Sequence, residues 1–247
     1  MHPRDELTPL LKKLRLSGVL ETLDLRVSEA VSDEVSHHEF LTRLLRDEVE
    51  RREAKQLAVR LRRANFEHAK TLADFEFAFN PSLPKAAIVD LANCTFIGKR
   101  QNVLLVGQTG VGKSHIAQAL GHRACLTGHK VLFVTAQDLF RDLRAARADN
   151  SVGKRMQRYL NADLLILDDL GLHPLQHTDP VDLYELICGR YERGSIVVTS
   201  NRDVDELMAL FPDPILGNAA MDRLLHHATT LRLTGRSYRR EGGTPNA

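Results

Sequence analysis

Cysteine is scarce and forms no pattern. The chain holds three, Cys94, Cys125 and Cys188. They are too far apart for a Cys-x-x-Cys pair or zinc spacing, and an odd number closes no disulfide framework. Free thiols in a reducing cytoplasm are the expectation. Long apolar runs are missing too: no stretch approaches the ~20 residues a bilayer-crossing helix needs, so no membrane association is expected. The opening Met1-His-Pro-Arg-Asp-Glu6 is polar and lacks the apolar segment of a secretory signal. There is little excess charge of either sign, since the formal net charge is +2, so total charge singles out no partner. Internal repeats and low-complexity segments are also absent. The rest is ordinary for a globular protein: 247 residues, 43% hydrophobic and 27% charged. That suffices for one α/β domain of about 170–180 residues plus a smaller element.

Residues 1–66 read as a helical N-terminal domain. Leu10, Leu11, Leu14, Leu16, Val19, Leu20, Leu23 and Leu25 recur at roughly helical spacing. A serine-rich acidic patch at 28–38 reads as a loop. Ser36 is placed to cap a helix starting at His37, with Glu39 in the capping-box position. Between Arg43 and Arg63 that helix carries eight basic and four acidic residues. Such a stretch suits either a solvated face laced with i,i+4 pairs or a basic helix for nucleic acid, with Arg51, Arg52 and Lys55 as candidate contacts. Residues 67–100 form a boundary. Within it Phe75, Phe77 and Phe79, with Phe66 just before it, are expected to pack in the core or beside a bound base.

From residue 101 the pattern alternates. Apolar runs at 102–106, 130–134, 164–167 and 195–199, and a weaker alternating run at 230–234, are separated by helical segments. Near-continuous apolar strands between helices imply a parallel sheet covered on both faces. The domain is expected to span 67–240, with a disordered tail at 241–247.

The first apolar run leads into Gly107-Gln108-Thr109-Gly110-Val111-Gly112-Lys113-Ser114, which matches GxxxxGK[ST]. Glycines let the backbone N–H groups of such a loop face phosphate oxygens, and the following helix N-terminus favours anions. Lys113 is suited to the β- and γ-phosphates and the Ser114 hydroxyl to Mg²⁺. His115 begins the helix beside them. The strand–loop–helix context requires a nucleoside triphosphate site. The third run ends in Asp168-Asp169, acids at the end of a parallel strand, where ligands bind. Asp168 is placed to hold Mg²⁺ and Asp169 to orient an attacking water. Asn201, ending the next strand, is placed to bond the γ-phosphate or that water.

Taken with Leu14–Gly18, Asp47–Glu53, Val131–Ala136, Leu164–Gly171, Thr199–Arg202, Asp222–His227 and Gly235–Arg239, the chain resembles the IstB-like ATP-binding proteins. These are transposition helper ATPases of bacterial insertion sequences, AAA+ proteins close to DnaC helicase loaders and DnaA initiators. The resemblance covers about residues 10–240. It implies an AAA+ P-loop NTPase domain with a five-stranded parallel sheet, and ATP and Mg²⁺ as cofactors. It further implies a homo-oligomer assembled on double-stranded DNA with intersubunit ATP sites, and a partner transposase. It places Arg223 as an arginine finger reaching a neighbouring copy's γ-phosphate, and Arg239 near nucleotide or neighbour. Relatives often carry Asp-Glu where this chain has Asp168-Asp169, so the shorter Asp169 predicts slow turnover. Initiator-type relatives carry DNA-contacting helices where Arg141, Arg144, Arg147, Lys154, Arg155 and Arg158 stand. A DnaC-type helicase loader is the alternative within the same fold.

Overall fold

The computed structural model describes residues 3–68 and 70–241 and divides into two compact units, Met1–Val59 and Arg60–Ala247. In the first, α1 (Pro3–Lys13), α2 (Ser17–Ser32) and the N-terminal part of α3 (His37–Ala64) enclose a small core of Leu11, Val19, Leu23 and Leu44. The Asp47–Glu53 stretch meets Leu14–Gly18 here. Glu48 is buried, and its carboxylate accepts from the backbone N–H of Gly18 at 2.5 Å and of Val19 at 3.4 Å, capping α2 from another helix. Any side chain at position 18 would strike the α3 backbone, 2.8 Å from its Cβ.

Ser36 does cap α3, its hydroxyl accepting from Glu39 N–H at 3.3 Å. The loop expected at 28–38 is shorter, because α2 continues through Ser32 and only residues 33–36 turn. The serines there sustain the helix: Ser28 and Ser32 donate to the carbonyls of Leu25 and Glu29, and Arg26 pairs with Glu29 and Asp47. Arg26 holds the Asp47 carboxyl down at about 2.

In the second unit a 3₁₀ turn (Phe77–Phe79), α4 (Lys85–Leu91) and α5 (Thr95–Gly98) precede the sheet. Then follow β1 (Val103–Gly107), α6 (Lys113–Leu126), β2 (Val131–Thr135), α7 (Ala136–Ala148), α8 (Val152–Leu160), β3 (Leu164–Asp168), α9 (Asp179–Arg190) and β4 (Ser195–Ser200). The chain continues through α10 (Val204–Met208), α11 (Pro214–Leu225), β5 (Thr229–Leu233) and a last helical turn, α12 (Tyr238–Glu241). Glu241 thus closes a helical turn, and the rest of the expected tail, 242–247, lies outside the described residues.

All five strands are parallel, in the order β2-β3-β4-β1-β5. The apolar runs follow from this topology: β1, β3 and β4 are interior, covered on both faces. Leu104, Val106, Leu132, Val134, Leu165, Leu167, Ile196 and Val198 pack with α7, α8, α9 and α11. The alternate residues turn to the opposite face, where α6 lies across β1–β4. Only the edge strand β5 alternates exposed and buried. Buried Asn102 ties the start of this layer together, accepting from Ile196 N–H and donating to the Leu224 carbonyl, both at 2.9 Å. Arg190, 1% exposed, donates to the carbonyls of Tyr159, Ala162 and Ser195, and burial draws its pKa down to about 10.

Candidate functional site at the ends of β1, β3 and β4

The carboxyl ends of the parallel strands bring three distant stretches together. β1 delivers the glycine loop, β3 delivers Asp168 and Asp169, and β4 delivers Thr199, Ser200 and Asn201. The loop backbone needs its glycines. At Gly107 φ is +145° and a Cβ would sit 2.0 Å from the Leu233 carbonyl oxygen, so β5 and β1 pair only because no side chain stands there. At Gly110 φ is +86° and a Cβ would sit 2.1 Å from Ser237 Oγ.

Lys113 is 5% exposed. Its ammonium donates to the carbonyls of Gly107 and Gln108 at 2.8 Å each and to Asn201 Oδ1 at 2.5 Å. Burial pulls its pKa below the ordinary lysine value, and the nearby Asp169 and Asp168 carboxylates push back. Asp168 is buried at the end of β3, and burial raises its pKa. The Thr199 hydroxyl donates to Asp168 Oδ1 at 2.5 Å, and the Thr199 and Ser114 hydroxyls both work against that rise. The same Thr199 oxygen accepts from Asp169 N–H at 2.9 Å. Asp169 adopts φ +55°, a left-handed conformation that aspartate tolerates better than most residues with a Cβ.

These groups open on a cavity of about 760 Å³. Thr109, Gly110, Val111, Gly112, Lys113, Ser114 and His115 line one side, and Asp168, Asp169 and Asn201 another. Gly107 and Gln108 do not line it; their carbonyls hold Lys113. Arg239 lines it as well. His115 Nε2 lies 2.9 Å from the Thr71 carbonyl, and burial lowers its pKa.

The remaining wall includes Phe75 and Phe79, two of the phenylalanines expected in the core or beside a bound base. Phe75 packs edge-on to His115 at 5.0 Å, and Phe79 edge-on to Tyr238 at 5.0 Å. Asn80 clasps the backbone of Arg236, accepting from its N–H at 2.8 Å and donating to its carbonyl at 2.9 Å. Tyr238 N–H reaches the Gly110 carbonyl at 3.0 Å. The Gly235–Arg239 segment is therefore strapped to both the glycine loop and the 77–82 segment. The cluster of phenylalanines was the one available signal.

Arg223 does not line this cavity. It is half-buried on α11, donates to the Ala219 carbonyl at 2.7 Å and lies 6.0 Å from the Tyr184 ring centroid. The second basic stretch is largely committed within the fold. Arg144 donates to both carboxylate oxygens of Asp179 at 2.8 Å, and Arg147 pairs with Asp182 at 2.6 and 2.9 Å. Both aspartates are buried, so these arginines answer interior carboxylates while their own side chains stay 36% and 35% exposed. Arg141 bonds Asp138 at 2.5 Å and Arg155 lies 3.3 Å from Asp142, both near the surface. Lys154 is exposed and has no hydrogen-bond or ion-pair partner among the described residues. In the first unit Arg51 bonds Glu21 and Ser17, Arg52 bonds Glu48 and the Arg15 carbonyl, and Lys55 is exposed.

A parallel sheet in the order β2-β3-β4-β1-β5, a glycine loop feeding α6, and an acid ending β3 define an α/β fold of the P-loop class. The chain belongs to the family described as IstB-like ATP binding protein, which matches residues 9–244. It is 41% identical over 232 residues to a Mycobacterium tuberculosis protein named for ATP binding in an insertion sequence, covering 93% of this chain and 92% of that one. It is 36% identical over 239 residues to the similarly named IS21 protein of Pseudomonas aeruginosa, covering 97% and 89%. Among solved structures the fold is similar to that of DnaI, with TM-score 0.58 and 20% identity over 68% of this chain and 90% of that one. It is also similar to the replication initiator DnaA bound to AMPPCP and single-stranded DNA, with TM-score 0.57 and 18% identity over 70% and 52%.

Proposed function

We propose that this chain binds ATP with Mg²⁺ in the 760 Å³ cavity, hydrolyses it slowly, and uses the bound nucleotide to assemble copies of itself on duplex DNA as the helper of an insertion-sequence transposase. The observation that carries this reading is the convergence of Lys113, Ser114, Asp168 and Asn201 at the ends of three parallel strands, in a chain whose family is named for ATP binding.

The residues suit the ligands. The loop presents backbone N–H groups at a helix N-terminus to phosphate oxygens. Ser114 and Asp168 offer hard oxygen ligands, the donor type and small number that Mg²⁺ uses in phosphate sites. Mg²⁺ bound there neutralises charge on the triphosphate. Lys113 leaves its carbonyl partners for the β- and γ-phosphates. Asn201, released from Lys113, bonds the γ-phosphate or the attacking water. Asp169 orients that water, its short side chain limiting the rate. Arg223, remote from the cavity of its own chain, completes the site of a neighbouring copy, and Arg239 lies at the cavity wall. DNA phosphates meet Arg141, Lys154 and Arg155 on the α7–α8 face. The insertion-sequence relatives favour the transposition role over helicase loading, because the loader likeness rests on fold alone.

Electron microscopy of the protein with duplex DNA and Mg²⁺ tests this reading. Ordered assemblies on DNA are expected with ATP and not without nucleotide. Identical particles in both samples contradict it.

A further inference from the structure

The first unit carries a groove of about 660 Å³ between the α1–α2 turn and the middle of α3. Its rim is cationic: Lys12, Arg15, Arg51, Arg52 and Lys55 all line it. The carboxylate inside, Glu48, is already committed to the Gly18 and Val19 N–H groups and to Arg52 Nε at 2.6 Å. Arg51 is held in place by Glu21. The side chains of Lys12, Arg15 and Lys55 have no hydrogen-bond or ion-pair partner among the described residues. Arg15 projects from a turn residue at φ +56°. Among the described residues the groove therefore presents three cationic side chains, Lys12, Arg15 and Lys55, that no carboxylate answers.

Its other wall is apolar. Leu11, Leu14 and Leu20 line it. Leu14 continues onto a stripe with Leu10 and Leu7, exposed by 64%, 56% and 43%. Leu7 and Leu10 lie on α1 and Leu14 in the turn that follows it, with its N–H on the Leu10 carbonyl at 2.9 Å, so the i, i+3, i+7 spacing keeps all three on one side. Phosphate alone answers the cations but leaves the leucines in water. An amphipathic helix with acidic residues on one side and large apolar residues on the other answers both.

We propose that this groove docks an acidic, apolar-faced helix of a partner protein. The assignment gives Arg51, Arg52 and Lys55 a protein ligand, where the sequence pattern alone suited either a solvated face or nucleic acid. It stands on the first unit and does not depend on the nucleotide site.

The test uses the full chain without nucleotide and a labelled synthetic amphipathic helix of glutamates and leucines, read by fluorescence anisotropy. A control peptide replaces the leucines with serines, and a duplex DNA is titrated in parallel. We expect the wild type to bind the first peptide at least about tenfold more tightly than the control. K12E/K55E and L10S/L14S, all at exposed positions, are each expected to weaken peptide binding by about tenfold or more. L10S/L14S is expected to leave DNA affinity unchanged. Equal binding of both peptides by the wild type overturns the proposal without recourse to any variant. So does peptide binding that L10S/L14S leaves intact. A loss of DNA affinity in K12E/K55E, with the leucine variant silent toward both ligands, assigns the groove to nucleic acid instead.

Discussion

Lys113 and Asn201, 88 residues apart in the chain, are hydrogen-bonded to each other at 2.5 Å. Lys113 is therefore held by an asparagine and two loop carbonyls, acceptors that phosphate replaces in the proposed nucleotide complex. Asn201→Ala removes one of them. ATP affinity is expected to hold or rise by about threefold to tenfold, the net worth of one ordinary hydrogen bond. Phosphate release is expected to fall about 100-fold, because the same residue is assigned to the γ-phosphate or the water. Equilibrium binding of a fluorescent ATP analogue and single-turnover hydrolysis measure the two separately. A parallel loss of both refutes the exchange.

Thr199 serves both acids at once, donating to Asp168 and accepting from Asp169 N–H. Thr199→Val keeps the shape and removes both bonds. It is expected to cost about 1–3 kcal/mol of stability, seen as a melting temperature lower by a few degrees. Hydrolysis should fall because the acids lose their common support. An unchanged melting curve argues against the relay.

Asp168 gives stability a pH dependence of known sign. Burial raises its pKa in the folded protein, and the Thr199 and Ser114 hydroxyls only partly offset this. The folded state then binds the proton more tightly than the unfolded chain. The Asp168 contribution to stability is fully present below the ordinary aspartate value and is lost as pH rises through the raised folded value. Asp168→Asn lacks this dependence. Melting temperatures of the nucleotide-free protein should fall relative to the Asn variant as pH rises through that window. A constant difference at all pH values contradicts the assignment.

The basic helices separate into two classes. Arg147→Ala leaves the buried Asp182 carboxylate without its partner and is expected to cost about 1–3 kcal/mol, less than a fully buried pair because the arginine is half-exposed. Arg141→Ala with Lys154→Ala should leave stability unchanged and weaken duplex DNA binding, lowering the salt slope by about one to two units. Thermal melts and a salt series of DNA titrations distinguish them. A stable Arg147→Ala protein contradicts the structural role.

The sheet and the glycine loop were legible because their signals are local. Five apolar runs and one contiguous motif specify strands, loop and helix without knowledge of what packs where. Asp168 was legible from its place at a strand end. Contacts between distant stretches were not. Nothing in the spacing of Arg144 and Arg147 shows that Asp179 and Asp182 face them from α9, so helical periodicity read as a free basic face. Asn80 gripping Arg236 spans 156 residues. Ser28 and Ser32 look like loop formers, yet their hydroxyls fold back onto α2. The capping of α2 by Glu48 joins two segments that the sequence marked as family-specific without showing why.

Arg223 is the most consequential placement, since it lies away from its own chain's cavity and the proposed site is complete only with another copy. The direct measurement mixes Lys113→Ala protein, which keeps Arg223 but loses its own site, with Arg223→Ala protein, which keeps its site but loses the finger. Phosphate release is followed with ATP, Mg²⁺ and duplex DNA. Each variant alone is expected to be inactive, and the mixture to recover activity well above their sum. Additive, near-zero activity across all mixing ratios would contradict an ATP site shared between copies.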